Sequence, residues 1–389
     1  WLYVGGDFYY AGDKVSRMMG IWNGTSWIST EKPNAYLGSP VAALLAKHDT
    51  IYYATGGIVA AMKENTYIEG TGLPGLGDEV LCMQFYHDTL YAGGNFGGYL
   101  KKWTGRKWET LGGGLSALTP GHVDALCVYN DQLIAGGLFK YADGKEVNNI
   151  AAWDGKVWQG FGSGTAIAGT IYSGNVLALT VYGDDLITGG FFNMAGGDTA
   201  DGIARWSEGK WNAMPGLCGQ VNYLITKGKG FYACGDFGES GDGKCIANRI
   251  TFWNGDTWVN LGFTIYDSGP LCMSFFNDEL IAGGYFETIA NNPINRIAML
   301  ANFTGFTDIK NKKQISIFPN PATDQLHIEA PNIHNATVTI LNLFGQVMLK
   351  QEFSNNASID ISTLSKGMYL VNIIDEKGNV LKTGKVVRE

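Results

Sequence analysis

Side chains able to do chemistry are sparse in this chain of 389 residues, and most fall in loops. The histidines are His48, His87, His122, His327 and His334. His48 and His87 hold one position in two copies of a short turn, HDTIYYA and HDTLYAG, so repetition explains the pair better than a shared metal. Asp13, Asp143, Glu146, Asp198, Asp201, Glu239 and Asp242 lie in long loops. Calcium needs several such oxygens converging on one centre, and none of these loops has the EF-hand spacing. Solvated turns are the simpler account, so no cofactor is expected and calcium is the one ion worth naming. Tyr9, Tyr10, Tyr36, Tyr141, Tyr172 and Tyr266 could form a platform for sugar rings or peptide. Packing of those rings on loop backbone is the competing account.

Catalytic patterns are missing where they were sought. There is no nucleophile elbow, phosphate loop or HExxH run. A sialidase box, S-x-D-x-G-x-x-W, fails in AWDGKVW because Trp153 stands where the Asp should be. Six cysteines are too few and too uneven for a disulfide framework. Cys82, Cys127 and Cys272 read as small apolar core residues. A disulfide between Cys234 and Cys245 is left open, since geometry decides it, and Cys218 has no assigned role.

The elements that must position these residues are strands. Val123 to Trp158 contains four short strand signals, VDALCV, QLIAGGLF, NIAAW and KVWQGF. Asn130-Asp131 and Asp154-Gly155 mark turns, the latter expected to place both residues at positive φ. Imperfect copies fill the first 306 residues. One ruler is the second position of a glycine pair, at Gly6, Thr55, Gly94, Gly137, Gly190, Gly235 and Gly284, recurring about every 46 residues. The other is a tryptophan pair: Trp22/Trp27, Trp103/Trp108, Trp153/Trp158, Trp206/Trp211 and Trp253/Trp258. Glycines on a second strand let a neighbour approach, and Phe8, Phe96, Phe139, Phe192, Phe237 and Phe286 would fill the space between copies. Small residues at Ala43, Cys82, Ala125, Ala178 and Cys272 suit crowded inner strands, a pattern that Tyr223 breaks without an account.

The period and the four-strand unit predict an all-β fold, a seven-bladed β-propeller over residues 1–306. The first copy lacks its opening strand. Another segment could supply it, or sequence could be missing upstream, in which case eight blades is the alternative. Residues 307–314 read as a linker, and 315–389 as a small C-terminal immunoglobulin-like β-sandwich. A net charge of −8 argues against a nucleic-acid surface, and no apolar run of 18 residues is present to span a membrane. The chain opens at Trp1 with neither Met nor an apolar leader, as expected of a processed export substrate or of a fragment.

Two resemblances rest on these residues. The pattern L-Y-V-G-G-x-F…I-A-x-W-D-G-x-x-W resembles kelch-like propellers, and more closely a repeat type of fungal cell-polarity and bacterial surface proteins. It implies a fold and hardly any activity. The copper ligands of galactose oxidase, a kelch-like enzyme, have no assignable counterparts here. The last segment is similar to the type A sorting domain of the Bacteroidota type IX secretion system. Its matching residues include Phe318, Pro319, Asn320, Pro321, Asp324, Gly345, Gln346, Gly367, Tyr369 and Lys385. That resemblance implies the type IX secretion machinery as partner and a secreted or cell-surface location.

Loop lengths then choose a face. First and third connections in each copy are tight, whereas second connections and the links between copies are long and open on the opposite side. The expected function is a non-catalytic surface or secreted module that binds carbohydrate or protein there, with an enzyme at the channel mouth as the alternative. The binding candidates are Tyr9, Tyr10, Tyr141, Asp143, Asp198, Asp201, Glu239, Asp242 and Tyr266.

Overall fold

The computed structural model describes all residues except 29–37, 65, 69–77, 170–173, 239–248, 262–264, 266–267, 290–291, 294–295, 301–314, 331–332, 334, 343–345 and 375–379. Every regular element among the described residues is a β-strand. The chain forms two compact units, Trp1–Phe303 and Thr304–Glu389.

Repeats 2 to 6 of the first unit each make a four-stranded antiparallel meander in chain order. In repeat 4 the strands are His122–Tyr129, Gln132–Leu138, Ile150–Trp153 and Trp158–Gly160. Repeats 1 and 7 show three strands each among the described residues: Leu2–Gly5, Met19–Trp22 and Trp27–Ile28, then Pro270–Phe276, Glu279–Gly284 and Ile297–Leu300. First strands pack side by side in sequence order, from Val41–Lys47 through to Pro270–Phe276. Each of the six carries a bulge, so that Ala43, Cys82, Ala125, Ala178, Tyr223 and Cys272 fall opposite the first residue of the glycine pair.

The two glycines of a pair have different tasks. A Cβ on the first would strike the next repeat: Gly93 would meet Val123 Cγ1 at 2.6 Å, Gly189 would meet Val221 Cγ1 at 2.6 Å, and Gly136 would collide with Val176. A Cβ on the second would run into the carbonyl of its own bulged first strand, at Glu79, His122, Asn175 or Gln220. The following phenylalanines, Phe96, Phe139, Phe192, Phe237 and Phe286, are buried as expected, and Phe8 is half-buried.

Side chains then tie each repeat to the next. The last residue of the first strand reaches the following repeat's hairpin turn: Tyr86 donates to Asp131 O at 2.8 Å, Tyr129 to Asp184 O at 2.9 Å and Tyr182 to Lys229 O at 3.1 Å. Lysine does the same elsewhere, with Lys47 Nζ 2.7 Å from Asp88 Oδ1 and Lys227 Nζ donating to Asp278 O at 2.5 Å. In repeats 4 and 5 the second tryptophan of the pair donates backwards, Trp158 to Leu111 O at 3.1 Å and Trp211 to Phe161 O at 2.9 Å. Within each pair the indoles face across a hairpin, as Trp153 and Trp158 do at 5.3 Å between ring centroids. At the ends of the series, a Cβ on Gly24 would lie 3.7 Å from Cζ of Phe276, so repeats 7 and 1 are neighbours.

Two expectations need correction, those for the Asp154-Gly155 turn and for Cys272, and the open question of Cys234 is answered. Of Asp154-Gly155 only Gly155 has positive φ (98°), because Asp154 instead accepts the N–H groups of Lys156 and Val157, each at 2.8 Å. The turn with two positive φ values is Asn130-Asp131, at 47° and 57°. Cys234 is a free, fully buried thiol, which removes a bridge to Cys245; Cys218 is the disulfide-bonded cysteine, and Cys245 lies outside the described residues. Cys272 is exposed and is not a core residue. Tyr223 stands opposite Cys234 and keeps 37% of its surface exposed, so a large ring is tolerated there.

The second unit pairs two sheets. One contains Ser316–Phe318, Gln325–Glu329 and Asn356–Asp360, and the other Val347–Phe353, Ala336–Leu341, Gly367–Ile374 and Val380–Arg388. Alternation along Gln325–Glu329 sends Leu326 and Ile328 inward to meet Val338, Ile340, Ile359, Val371 and Ile373.

The glycine geometry is testable. Gly136→Ala should destabilise the first unit by about 1–3 kcal/mol through overpacking against Val176. Gly97→Ala is the control, since nothing lies within 4 Å of the added Cβ. Urea unfolding of both variants measures the difference.

Candidate functional site

The face carrying the long connections is built from short extra strands. In repeat 4 the connection forms a hairpin, Tyr141–Ala142 with Lys145–Glu146, and the link leaving repeat 3 adds Leu115–Ser116 as a third strand. Repeat 5 copies the arrangement with Met194–Ala195, Asp198–Thr199 and the link strand Thr165–Ala166. Repeat 1 has the hairpin Tyr10–Ala11 with Lys14–Val15, and in repeat 7 an Ile265–Ile289 bridge joins link to hairpin. Links and second connections therefore share one face, as the loop lengths require.

Polar side chains stitch link to hairpin. Gly112 and Gly114 turn the link at φ 55° and 83°, and the Asp143 carboxylate accepts the N–H of Gly113. Asn148 donates to Ser163 O at 3.0 Å, and the buried Asn149 donates to Thr165 O at 2.9 Å. A side chain that satisfies backbone groups in this way holds a loop in one shape.

The expected site residues fall into separate groups. Tyr9 and Tyr10 stand together on repeat 1, 59% and 67% exposed. Tyr141 and Asp143 share the repeat 4 hairpin, where Lys140 Nζ lies 5.7 Å from the Tyr141 ring centroid and 3.6 Å from Glu146 Oε1. Asp198 and Asp201 are exposed on the repeat 5 connection. Glu239, Asp242, Tyr266, Tyr36 and Tyr172 lie outside the described residues. Among the described residues no three His, Cys, Asp or Glu side chains gather as a metal-holding set.

A polar cluster at the entry of the first strands escaped the reading of the sequence. His122 Nε2 lies 3.1 Å from Asp124 Oδ2, and the Asn175 amide nitrogen of the next repeat is 3.3 Å from the same ring nitrogen. Farther round, Gln220 donates to Asn222 at 2.7 Å, and Asn222 donates to Pro270 O at 3.0 Å. Asp124 and Asn222 occupy the bulge position that is Ala42, Leu81, Leu177 or Leu271 in other copies, and that contrast is the signal that would have found them. The Asp124 carboxylate 3.1 Å away raises the His122 pKa above its ordinary value, against a smaller opposing effect of burial.

In the second unit the motif residues clasp the last strand. Asn320 donates to Lys385 O and accepts from Val387 N, both at 2.9 Å. Ala322 donates to Val387 O at 2.8 Å, and Glu389 N donates back to Ala322 O at 3.0 Å. Arg388 Nε donates to Ile361 O at 3.0 Å, with Asp324 3.7 Å from its guanidinium. Gln346 N donates to Asn342 at 3.0 Å and Tyr369 donates to Ser365 O at 2.8 Å. Pro319 and Pro321 flank Asn320 on the exposed surface, Gly367 opens the strand Gly367–Ile374, and Gly345 lies outside the described residues.

Residues 316–388 match the secretion system C-terminal sorting domain family. This domain marks proteins that type IX secretion exports to the cell surface or releases. Among curated proteins, beta-agarase D of Zobellia galactanivorans is 35% identical over 77 residues, 20% of this chain and 16% of that protein. Ulvan lyase NLR42 of Nonlabens ulvanivorans is 27% identical over 136 residues, 32% of this chain and 25% of that protein. The chain thus spans a quarter or less of these relatives. Among solved structures, PorZ, a surface component of the type-IX secretion system of Porphyromonas gingivalis, shares 12% identity at a TM-score of 0.45, covering 95% of this chain and 55% of that one. The computationally designed Ika8 protein shares 15% at a TM-score of 0.40, covering 90% and 96%. Among the described residues no helix is long and apolar enough to cross a membrane.

Two outcomes follow. Because the folded pKa of His122 is raised, its contribution is fully present below the unfolded value of about 6.5 and is lost as pH rises through the folded value. Unfolding measured from about pH 5.5 to about 8.5 should show that loss in the wild type and not in Asp124→Asn. Asn320→Ala should cost the sandwich about 1–2 kcal/mol by freeing the last strand. Thermal melts and the amount of protein displayed at the surface should fall together.

Proposed function

We propose that this exported chain is a non-catalytic binding protein whose N-terminal unit is a seven-bladed β-propeller of kelch-like type. The reading assigns residues 1–306 to the propeller, 307–314 to a linker and 315–389 to the sorting domain. Neighbouring first strands in series, and the approach of Phe276 to Gly24, support a ring. Eight blades remains the alternative count.

One observation carries the binding reading: Tyr9 and Tyr10 stand adjacent and more than half exposed on a short hairpin of the long-connection face. Exposed aromatic rings on a fixed hairpin offer flat apolar faces of the kind sugar rings stack on. Tyr141, Asp198 and Asp201 are assigned to the same site, and by sequence so are Glu239, Asp242 and Tyr266; the free acidic groups would accept sugar hydroxyls, while Asp143 shapes the hairpin through Gly113. Two of the matched relatives are named as an agarase and an ulvan lyase, which favours polysaccharide over protein as the ligand. The reading requires neither a metal nor a cofactor.

A glycan array with agar and ulvan oligosaccharides, followed by calorimetry, tests it. Tyr9→Ala/Tyr10→Ala should weaken binding at least about tenfold while leaving the melting temperature unchanged. Flat responses across all glycans would sink the carbohydrate reading. Release of new sugar ends would assign a catalyst at the channel mouth instead.

A further inference from the structure

We propose that the entry of the first strands of repeats 4 and 5 is a binding subsite for one sugar ring, held between the Phe191 ring and a polar edge made by Asp124 and Asn175. The inference shares the ligand class of the reading above. It uses other residues, and it needs neither the Tyr9–Tyr10 hairpin nor closure of the repeats into a ring.

His122 and Asn175 open the consecutive first strands His122–Tyr129 and Asn175–Tyr182, which begin where the links arrive, on the long-connection face. The Asn175 amide nitrogen lies 3.3 Å from His122 Nε2, and Asp124 Oδ2 approaches the same nitrogen at 3.1 Å. Across its own hairpin Asn175 is paired with Phe191, the last residue of the strand Asp185–Phe191. Directly opposed residues of an antiparallel pair project from one side of the sheet, with Cβ atoms about 5 Å apart. Asn175 is therefore flanked by the imidazole on one side and by the phenyl ring on the other. That ring is 55% exposed.

Matching positions in repeats 3 and 6 are occupied by the fold itself. Asn95, which stands where Phe191 does, accepts the N–H of Glu79 at 2.9 Å. Asp236, at the same position of repeat 6, accepts from Arg249 at 2.7 Å and from Gly269 N at 2.8 Å. Gln220, the counterpart of Asn175, donates to Asn222, which in turn donates to Pro270 O. Repeat 5 differs: Phe191 offers no polar atom, and Asn175 Oδ1 is buried without a hydrogen-bond partner. An unpaired buried acceptor weakens a fold, so a structural task does not explain these two residues.

The polar edge has more bonding capacity than the protein uses. One ring nitrogen cannot donate to the carboxylate and accept from the amide at once, so His122 Nε2 serves only one of its two neighbours. With its proton toward Asp124, both N–H groups of the Asn175 amide need an acceptor. Asp124 Oδ2 is buried against the imidazole, and the side chain keeps 17% of its surface exposed, which leaves Oδ1 as the outward oxygen. The edge thus presents an amide donor beside a carboxylate acceptor. A hydroxyl answers both, accepting from Asn175 Nδ2 and donating to Asp124 Oδ1. An ammonium can only donate, and a carboxylate can only accept and would stand against Asp124. A sugar ring carries several hydroxyls on its rim and an apolar C–H face, which Phe191 is placed to receive.

Titration of the full chain with methyl β-glucoside and methyl β-galactoside, followed by saturation-transfer NMR, tests the assignment. The wild type should bind at least one of the two. Phe191→Ala should weaken that binding at least about tenfold and leave the melting temperature unchanged, because the ring is exposed. Phe191→Trp should retain it, since the stacking face survives. Asp124→Leu installs the residue that the bulge position carries in repeats 3, 5 and 7, and it should also cost at least about tenfold. Tyr9→Ala/Tyr10→Ala should leave this binding in place. No binding of either glycoside to the wild type would overturn the subsite, and so would binding that Phe191→Ala leaves unchanged. Loss in Tyr9→Ala/Tyr10→Ala with Phe191→Ala unaffected defeats the subsite and upholds the earlier reading, whereas the reverse pattern upholds the subsite alone.

Discussion

The absence of two Cβ atoms in five of the repeats, at Gly5-Gly6, Gly93-Gly94, Gly136-Gly137, Gly189-Gly190 and Gly283-Gly284, is the constraint on which the first unit depends. Close packing of successive sheets needs a valine to press into the second strand of its neighbour, and only glycine leaves room for it at Gly93, Gly136 and Gly189. The companion glycine admits the bulged carbonyl of the repeat's own first strand. Hydrogen bonds from Tyr86, Tyr129 and Tyr182, and ion pairs from Lys47 and Lys227, then fix the spacing that the glycines permit. Most of these latches lie near the surface, so each is worth little and the series matters more than any member.

The same geometry explains why polar residues of the long-connection face are mixed in purpose. Asp143, Asn148 and Asn149 are occupied with backbone groups, which makes a firm base out of segments that would otherwise be loose. Tyr9 and Tyr10 have no comparable burial and remain available. The division between structural and available side chains follows the hydrogen bonds and not the residue types.

In the second unit the sorting motif is a clasp. Asn320 substitutes its amide for a neighbouring backbone, closing on Lys385 and Val387, while Arg388 reaches Ile361 and Ser362. Residues far apart in sequence thereby hold the final strand in its sheet. Of the motif residues, Asn320 and Lys385 share this task, while Gln346 and Tyr369 bond locally to Asn342 and Ser365.

Much of this was legible in the sequence. The paired glycines and tryptophans, the period, the small C-terminal sandwich and the sorting motif all follow from local pattern, because strand alternation and turn chemistry act over a few residues. Other features required the tertiary structure. Cys272 and Cys82 look alike along the chain, yet among the described residues Cys82 meets Val123 of the next first strand while Cys272 is exposed. Likewise, His122, Asp124 and Asn175 meet only because two successive first strands are neighbours in space. Asp143 and Asp198 sit in similar loops, and only the approach of Gly113 makes the first structural. What pattern determined was which residues form strands; what the fold decided was which of their side chains still face solvent, because that depends on neighbours brought together from other repeats.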